Sequence, residues 1–383
     1  MNQRYYSLDV FRGATVALMI LVNNPGSWAT IFPPLKHAPW HGITPTDLVF
    51  PFFLFAVGNA MAFVMPRFEQ AGPSFFWKKV IKRTVLIFAI GLFLNWSPFV
   101  RWEGEEIIWK GWQNIRILGV LQRIALCYFF ASIIVYYAKT RGAFVISGIL
   151  LLAYWVISLL LGNAGDPYSL AGWFGTEIDI NILGVTHIYK GEGVPFDPEG
   201  LSSTPAAIVQ VIFGFFVGQY IQQKGKNYEM LSNLLIAGLV LFFTGYCWDM
   251  VFPVNKKIWT SSYVLYTTGL AILSLGTLIY LIEFKGAKGA WSRFFDVFGK
   301  NPLFIFVLSG FLPRVLAMFR WVDHVTPEGK NAYTSFFPWF YEHVCKNIAT
   351  DLRVGSLLYA LCMIAFYWLI VYVLDKKKIY IKV

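Results

Sequence analysis

The stretch "LKHAPWHGITPTDLVFP", residues 35 to 51, sets two histidines, three prolines and an aspartate between two apolar segments. Imidazole, with an ordinary pKa of about 6.5, is the side chain best suited to take a proton near neutral pH. Pro39 stands between His37 and His41, and proline keeps the residue before it out of the helical region. The pair therefore does not share a helix face as a zinc-binding pair would, and no metal site is expected. The pattern instead suggests one reactive imidazole, His37, in an irregular loop between two helix ends. By position Asp47 or Thr46 caps the next helix, or Asp47 orients the His37 ring and stabilises its protonated form, or both hold at once. Asn23, in "ILVNNPG", is either a turn residue before Pro25 or an amide donor to a developing oxyanion.

Charged and amide side chains elsewhere carry the same double reading. Asp9 and Arg12 stand at i and i+3 and can pair with each other. Gln122 and Arg123, in "RILGVLQRIALCYF", lie deep in an apolar segment, where a charge is either functional or tied up in an ion pair. The planar fork of arginine suits phosphate. Lys300 and Asn301 in "FGKNPLFIF" are a snorkelling side chain and a cap, or a meeting point for an anionic ligand at a helix start. Asp197 and Glu199 in "PFDPEGLSS" shape a turn, or line a pocket that attracts a cation. Trp40 and His41 are placed with them on the substrate side. His187, His324 and His343 read as surface or structural residues.

The elements that position these groups follow from composition. The chain has 383 residues, 57% hydrophobic, 19% aromatic and 14% charged. Several runs exceed the roughly 18 apolar residues of a transmembrane helix candidate. The fold class is therefore all-α, a polytopic membrane bundle of about ten spans, read as a single domain over residues 1–383. The approximate cores are 8–24, 47–66, 78–96, 116–137, 143–162, 204–222, 230–249, 262–283, 301–319 and 353–374. No cleavable leader is expected at the start. The net charge of +11 reflects loops on one side of the membrane and not nucleic-acid binding. Lys and Arg cluster in alternate connections: residues 67–83, Lys139 and Arg141, Lys224 and Lys226, residues 285–293, and a tail with Lys376, Lys377, Lys378 and Lys382. By the positive-inside rule these are cytoplasmic, with both termini inside. The outer loops 25–46, 97–115, 163–203 and 320–352 are long and rich in Trp, Pro and Gly, which marks functional loops. Cys127, Cys247, Cys345 and Cys362 form no C-x-x-C pair and read as packing residues.

"YSLDVFRG", "LVNN", "KHAPWHGITPTDLVFPFFLFAVG", "GVLQR", "FDPEGLSSTPAAI" and "GKNP" resemble, in order and spacing, the transmembrane acetyltransferase family that includes heparan-α-glucosaminide N-acetyltransferase and its bacterial relatives. The resemblance implies an acyltransferase that moves acetyl from cytoplasmic acetyl-CoA to the amine of a glucosamine-type sugar across the membrane. It puts the family's active-site histidine on His37, the nearby asparagine on Asn23 and the aspartate on Asp47. It puts the "LQR" arginine on Arg123 and the "PEG" glutamate on Glu199. Arg12, Gln122, Arg123, Lys300 and Asn301 are then expected along the acetyl-CoA route, and Trp40, His41, Asp197 and Glu199 around the sugar. A multi-pass protein of a bacterial inner membrane, in contact with lipid and compatible with a homodimer, is the expected setting. The rival class is an amino-sugar permease without chemistry, which would not need a histidine flanked by an amide donor and a carboxylate.

Overall fold

The computed structural model describes residues 5–381, so Lys382 lies outside the described residues. Among the described residues twelve α-helices run in chain order. They are α1 (Tyr6–Asn23), α2 (Val49–Ala71), α3 (Pro73–Trp96), α4 (Val120–Leu161), α5 (Gly175–Leu183), α6 (Thr204–Lys224), α7 (Tyr228–Trp248), α8 (Ser261–Ile279), α9 (Ala290–Lys300), α10 (Pro302–Leu316), α11 (Phe336–Phe340) and α12 (Leu352–Lys376). The only strands among the described residues form two small antiparallel hairpins, β1 (Val100–Glu103) with β2 (Glu106–Trp109), and β3 (Trp321–Val325) with β4 (Asn331–Thr334).

Among the described residues seven helices are long and apolar enough to cross a membrane, or eight if α9 and α10, bent by 77°, count as one span. The difference from the ten expected lies in two helices. α4 has 42 residues, which at 1.5 Å per residue is about 63 Å, twice the roughly 30 Å hydrocarbon layer. It breaks at Lys139, whose φ of 55° is not helical, where the sequence places a turn between two spans. α3 carries Lys78, Lys79, Lys82 and Arg83 in its first half, which lowers its hydropathy.

The spans are held close by small residues rather than by a strong apolar stripe, because lipid competes for apolar surface as well as a neighbouring helix does. α2 and α6 touch backbone to backbone: a Cβ on Gly58 would stand 1.8 Å from the Val211 carbonyl oxygen, and one on Gly214 would stand 2.1 Å from that of Phe55. Gly58→Val should therefore destabilise the fold by about 1–3 kcal/mol or more, read as a lower thermal midpoint in detergent. Gly148→Val, where a Cβ meets nothing within 4 Å, is the control that should leave the midpoint unchanged.

The start of α1 and the tail after α12 are each tied to the segment that runs from α8 to α10. The backbone N–H of Ser7 donates to Glu283 at 3.0 Å, and Asn301 holds Ile379 and Ile381 of the tail. At the opposite end, the loops 25–48, 163–203 and 249–260 converge. The Gly42 N–H donates to the Val254 carbonyl at 2.8 Å, and the Trp40 indole donates to the Tyr168 carbonyl at 2.8 Å. Of the four cysteines, Cys127 and Cys345 are buried, Cys362 is half-buried and Cys247 is exposed on α7, contrary to a packing role for the last.

Candidate active site

The loop between α1 and α2 is short of regular structure but not of hydrogen bonds. Pro33–Leu35 and Pro45–Leu48 form single 3₁₀ turns, and the Thr44 hydroxyl donates to the Lys36 carbonyl at 2.6 Å. Asp47 is not itself a cap. It is the acidic partner in a capping box whose cap residue is Thr44. Its Oδ2 accepts from the Ala38 N–H at 3.0 Å, the Thr44 N–H at 3.0 Å and the Thr44 hydroxyl at 3.1 Å. The carboxylate is buried, at 1% exposure, and its second oxygen faces the His37 ring. Oδ1 lies 2.6 Å from Nδ1 of His37. The ring contact expected from the sequence is present, while the cap is neither Asp47 nor Thr46: Thr44 caps the 3₁₀ turn and Leu48 precedes α2.

That contact fixes the imidazole chemistry. A carboxylate on Nδ1 favours the tautomer with its proton there, so Nε2 carries the lone pair and can act as a base. The His37 side chain is 41% exposed and lines a cavity of about 220 Å³ with Trp40, Arg116, Tyr189, Glu199 and Lys256. Lys256 stands 3.1 Å from the same Nδ1 and 3.5 Å from Asp47 Oδ1. Burial pushes its ammonium pKa down, against the pull of Asp47 and Glu199. Burial likewise lowers His41, whose ring lies 3.4 Å from the Asn255 amide.

The far wall of the cavity is an ion cluster. Arg116 donates through Nε to Asp197 at 3.0 Å and through Nη2 to both Asp197 and Glu199, and it lies over the Tyr189 ring at 4.7 Å. Burial alone would raise the Glu199 carboxyl, but Arg116 and Arg123 outweigh it and hold the group below the usual carboxylate range. Asp197 is wholly buried and faces Arg116 rather than the cavity. Lys257 pairs with Glu192 at 2.6 Å and donates to the Pro39 carbonyl at 2.7 Å, clamping its loop to the His37 segment.

A second cavity of about 410 Å³ adjoins the first, with Arg116 and Val120 in both walls. Amides line it: Asn23, Asn24, Asn95 and Gln122, with Ser309 and Arg314. Gln122 is buried and its Nε2 has no hydrogen-bond partner. Asn23 is thus in the neighbouring chamber from His37, not beside it.

The five residues expected along the cofactor route are not brought together. Gln122 is in the amide-lined chamber. Arg123 is fully buried near the His37 end, donating to the Gly200 carbonyl at 2.8 Å and to Ser203, with its guanidinium 5.3 Å from the Trp259 ring centre. It therefore fixes the "PEGLSS" loop and not a line shared with Arg12 and Lys300. Those two sit at the opposite end: Lys300 bonds Asp296 at 2.7 Å and Asp375 at 3.0 Å, and Asn301 spends its amide on the tail. Arg12 pairs with Asp9, donates to the Gly299 carbonyl at 2.8 Å and lines a separate 250 Å³ cavity with Asn59. His187 donates through Nδ1 to the Ile115 carbonyl at 2.6 Å as a structural residue, while His324 and His343 share Asp323. Among the described residues no group of side chains suits a metal ion.

Arg116, Lys256 and Lys257 were not singled out by sequence. The signal was there for the lysines: "NKK", residues 255–257, puts two cations in a loop that alternation assigns to the outer side, against the positive-inside trend.

Residues 4–178 match the family model described as heparan-alpha-glucosaminide N-acetyltransferase, catalytic. The chain is similar to the protein named heparan-alpha-glucosaminide N-acetyltransferase of Homo sapiens, 25% identical over 442 aligned positions, and to that of Mus musculus, 26% identical over 439. Each alignment covers 99% of this chain and 60% of the relative, so the chain spans about three fifths of their length. The matched N-terminal region holds Asn23, His37, Asp47 and Arg123, and the similarity continues through the loops that close the cavity. These matches and the motifs that foreshadowed them make the chain similar to the heparan-α-glucosaminide N-acetyltransferase family, most directly over residues 4–178.

Proposed function

We propose that the chain is a transmembrane N-acetyltransferase that moves acetyl from cytoplasmic acetyl-CoA to the amine of a glucosamine-type sugar at the outer end of the bundle. The observation that carries this reading is the His37 imidazole held through Nδ1 by the buried Asp47 in a cavity that adjoins an amide-lined one. Acyl transfer to an amine needs three things: a base, a donor to the oxyanion and room for two reactants at once. His37 supplies the base at Nε2, and Asp47 stabilises the imidazolium that forms. The sugar amine belongs in the His37 cavity, where Glu199 and Trp40 line the wall. The thioester belongs in the amide chamber, where Asn23 donates to the developing oxyanion, a contact worth about 3 kcal/mol in the transition state.

Two chambers sharing a wall favour direct transfer over an acetyl-histidine intermediate, since donor and acceptor can be held together. The Lys- and Arg-rich end is the cytoplasmic one on this reading, and Arg12 and Asn59 line the cavity there that suits the phosphate-bearing end of the donor. Arg12 and Asn23 are eleven residues apart on α1, about 16 Å along its axis, a separation that a long cofactor can bridge.

The test uses purified protein in proteoliposomes with labelled acetyl-CoA on one side and a panel of amino sugars on the other. N-acetyl product is the expected result, and label retained on the protein without sugar would replace direct transfer by a covalent step. Sugar flux without product would make the chain a permease.

A further inference from the structure

We propose that Lys256 is a second base of the acetyl transfer, taking the first of two protons that a sugar ammonium must lose. The inference rests on the acetyl-transfer reading above and adds a catalytic residue that lies outside the matched region, residues 4–178. The proton balance asks for it. An ammonium R–NH₃⁺ and a thioester give an amide, a free thiol and one proton: two protons leave nitrogen, one of them ending on the thiol sulfur and the other in water. A single imidazole can carry only one at a time.

The geometry supplies a partner. Lys256 Nζ is 3.1 Å from His37 Nδ1, lines the same cavity, and its side chain keeps 21% exposure, so a proton has a way out. Its loop is built to hold it there. The Asn255 carboxamide oxygen accepts from the Lys257 N–H at 2.7 Å and the Ile258 N–H at 3.1 Å, and the Thr260 hydroxyl accepts from the Asn255 N–H at 3.0 Å. The charged groups facing Nζ are Asp47 and His37 from the first loop and Glu199 from the third, with Lys257 beside it and Arg116 and Glu192 farther along the wall. Burial lowers the ammonium pKa at this position, against Asp47 and Glu199, which is the direction a base requires.

In the step so assigned, the Lys256 amine takes one proton from R–NH₃⁺. The freed lone pair forms the C–N bond at the thioester carbon, and His37 Nε2 takes the second proton. The C–S bond breaks, the thiolate leaves with the proton from His37, and Lys256 returns its own to water.

The experiment compares Lys256→Met and Lys256→Arg with wild type across pH, all three matched by thermal unfolding, using the amino sugar that wild type acetylates. A 2-hydroxylamino analogue, whose nitrogen is uncharged at neutral pH, is the second acceptor. For the ammonium substrate at pH 7 both variants should lose about 10²-fold in kcat/KM. The deficit should close as pH rises past the pKa of the sugar ammonium, and should be absent with the hydroxylamino acceptor at pH 7. Wild-type turnover by Lys256→Arg would show that a fixed cation suffices, and a deficit equal at every pH and for both acceptors would make Lys256 structural. Either overturns the second base while leaving acetyl transfer intact. Wild type inactive with every amine would overturn both.

Discussion

Alanine at His37 is expected to lower kcat/KM for acetyl transfer by about 10³- to 10⁴-fold while the protein stays folded. At about 1.4 kcal/mol per decade, this is a loss of roughly 4–5.5 kcal/mol of transition-state stabilisation. The folding cost is smaller. Removing the ring takes one charge-assisted hydrogen bond from Asp47, worth about 1.5–3 kcal/mol, but the carboxylate keeps the Ala38 and Thr44 N–H groups and the Thr44 hydroxyl on Oδ2, and Lys256 lies 3.5 Å from Oδ1. Asp47→Asn separates orientation from basicity. An amide retains an oxygen for one donor but offers an N–H where a carboxylate oxygen stood, which turns the imidazole to the wrong tautomer, so kcat should fall by up to about 10⁴-fold with less change in KM. Steady-state rates with acetyl-CoA and the best amino sugar measure both, beside thermal midpoints in detergent. Ordinary turnover by His37→Ala would remove the imidazole from the mechanism.

The His37–Asp47 pair was legible because it is local. Ten residues separate the two, proline excludes a helix between them, and a Thr-x-x-Asp capping box brings the carboxylate back to the loop. The transmembrane pattern was legible for a similar reason, since hydropathy is a property of consecutive residues. The helix that breaks at Lys139 and the charged start of α3 are where local charge interrupts that signal. The cavity wall was not legible. Arg116 finds Asp197 across 81 positions, and Lys256 finds His37 across 219, separations over which one sequence offers no periodicity. Arg123 shows the converse difficulty. A buried intramembrane arginine signals that something must offset its desolvation, but not what: here Nη2 meets the Gly200 carbonyl and Ser203, while Nε and Nη1 are buried without a hydrogen-bond partner. Lys300 and Asn301 stayed open between a snorkelling side chain with a cap and a ligand contact, because their partners, Asp375 and Ile379, belong to the last helix and the tail.

Arg116→Gln is the substitution expected to cost most stability. Asp197 is wholly buried, and its carboxylate meets Arg116 through two guanidinium nitrogens while also accepting from the Tyr189 and Glu199 N–H groups at 3.3 and 3.0 Å. Removing the cation strands two carboxylates, and breaking a buried pair in this way costs about 3–5 kcal/mol. Lysine is no substitute, since a single ammonium cannot reproduce the two-pronged contact. Acid should mimic the lesion with a definite sign. The Glu199 carboxyl is held below its ordinary value in the folded state, so its contribution is complete above the usual carboxylate range and is lost as pH falls through the depressed folded value. Wild type should therefore lose stability below about pH 4, and Arg116→Gln should lose less over the same interval because its Glu199 keeps only Arg123 and Lys256 of the cations that lower it. The triple variant Arg116→Gln, Asp197→Asn, Glu199→Gln should recover part of the midpoint by removing the stranded charges. It should not recover turnover, because Arg116 also forms the wall common to both chambers. Thermal unfolding against pH, with kcat/KM on the same preparations, separates the two roles: full recovery of rate with stability would reduce Arg116 to a structural ion pair.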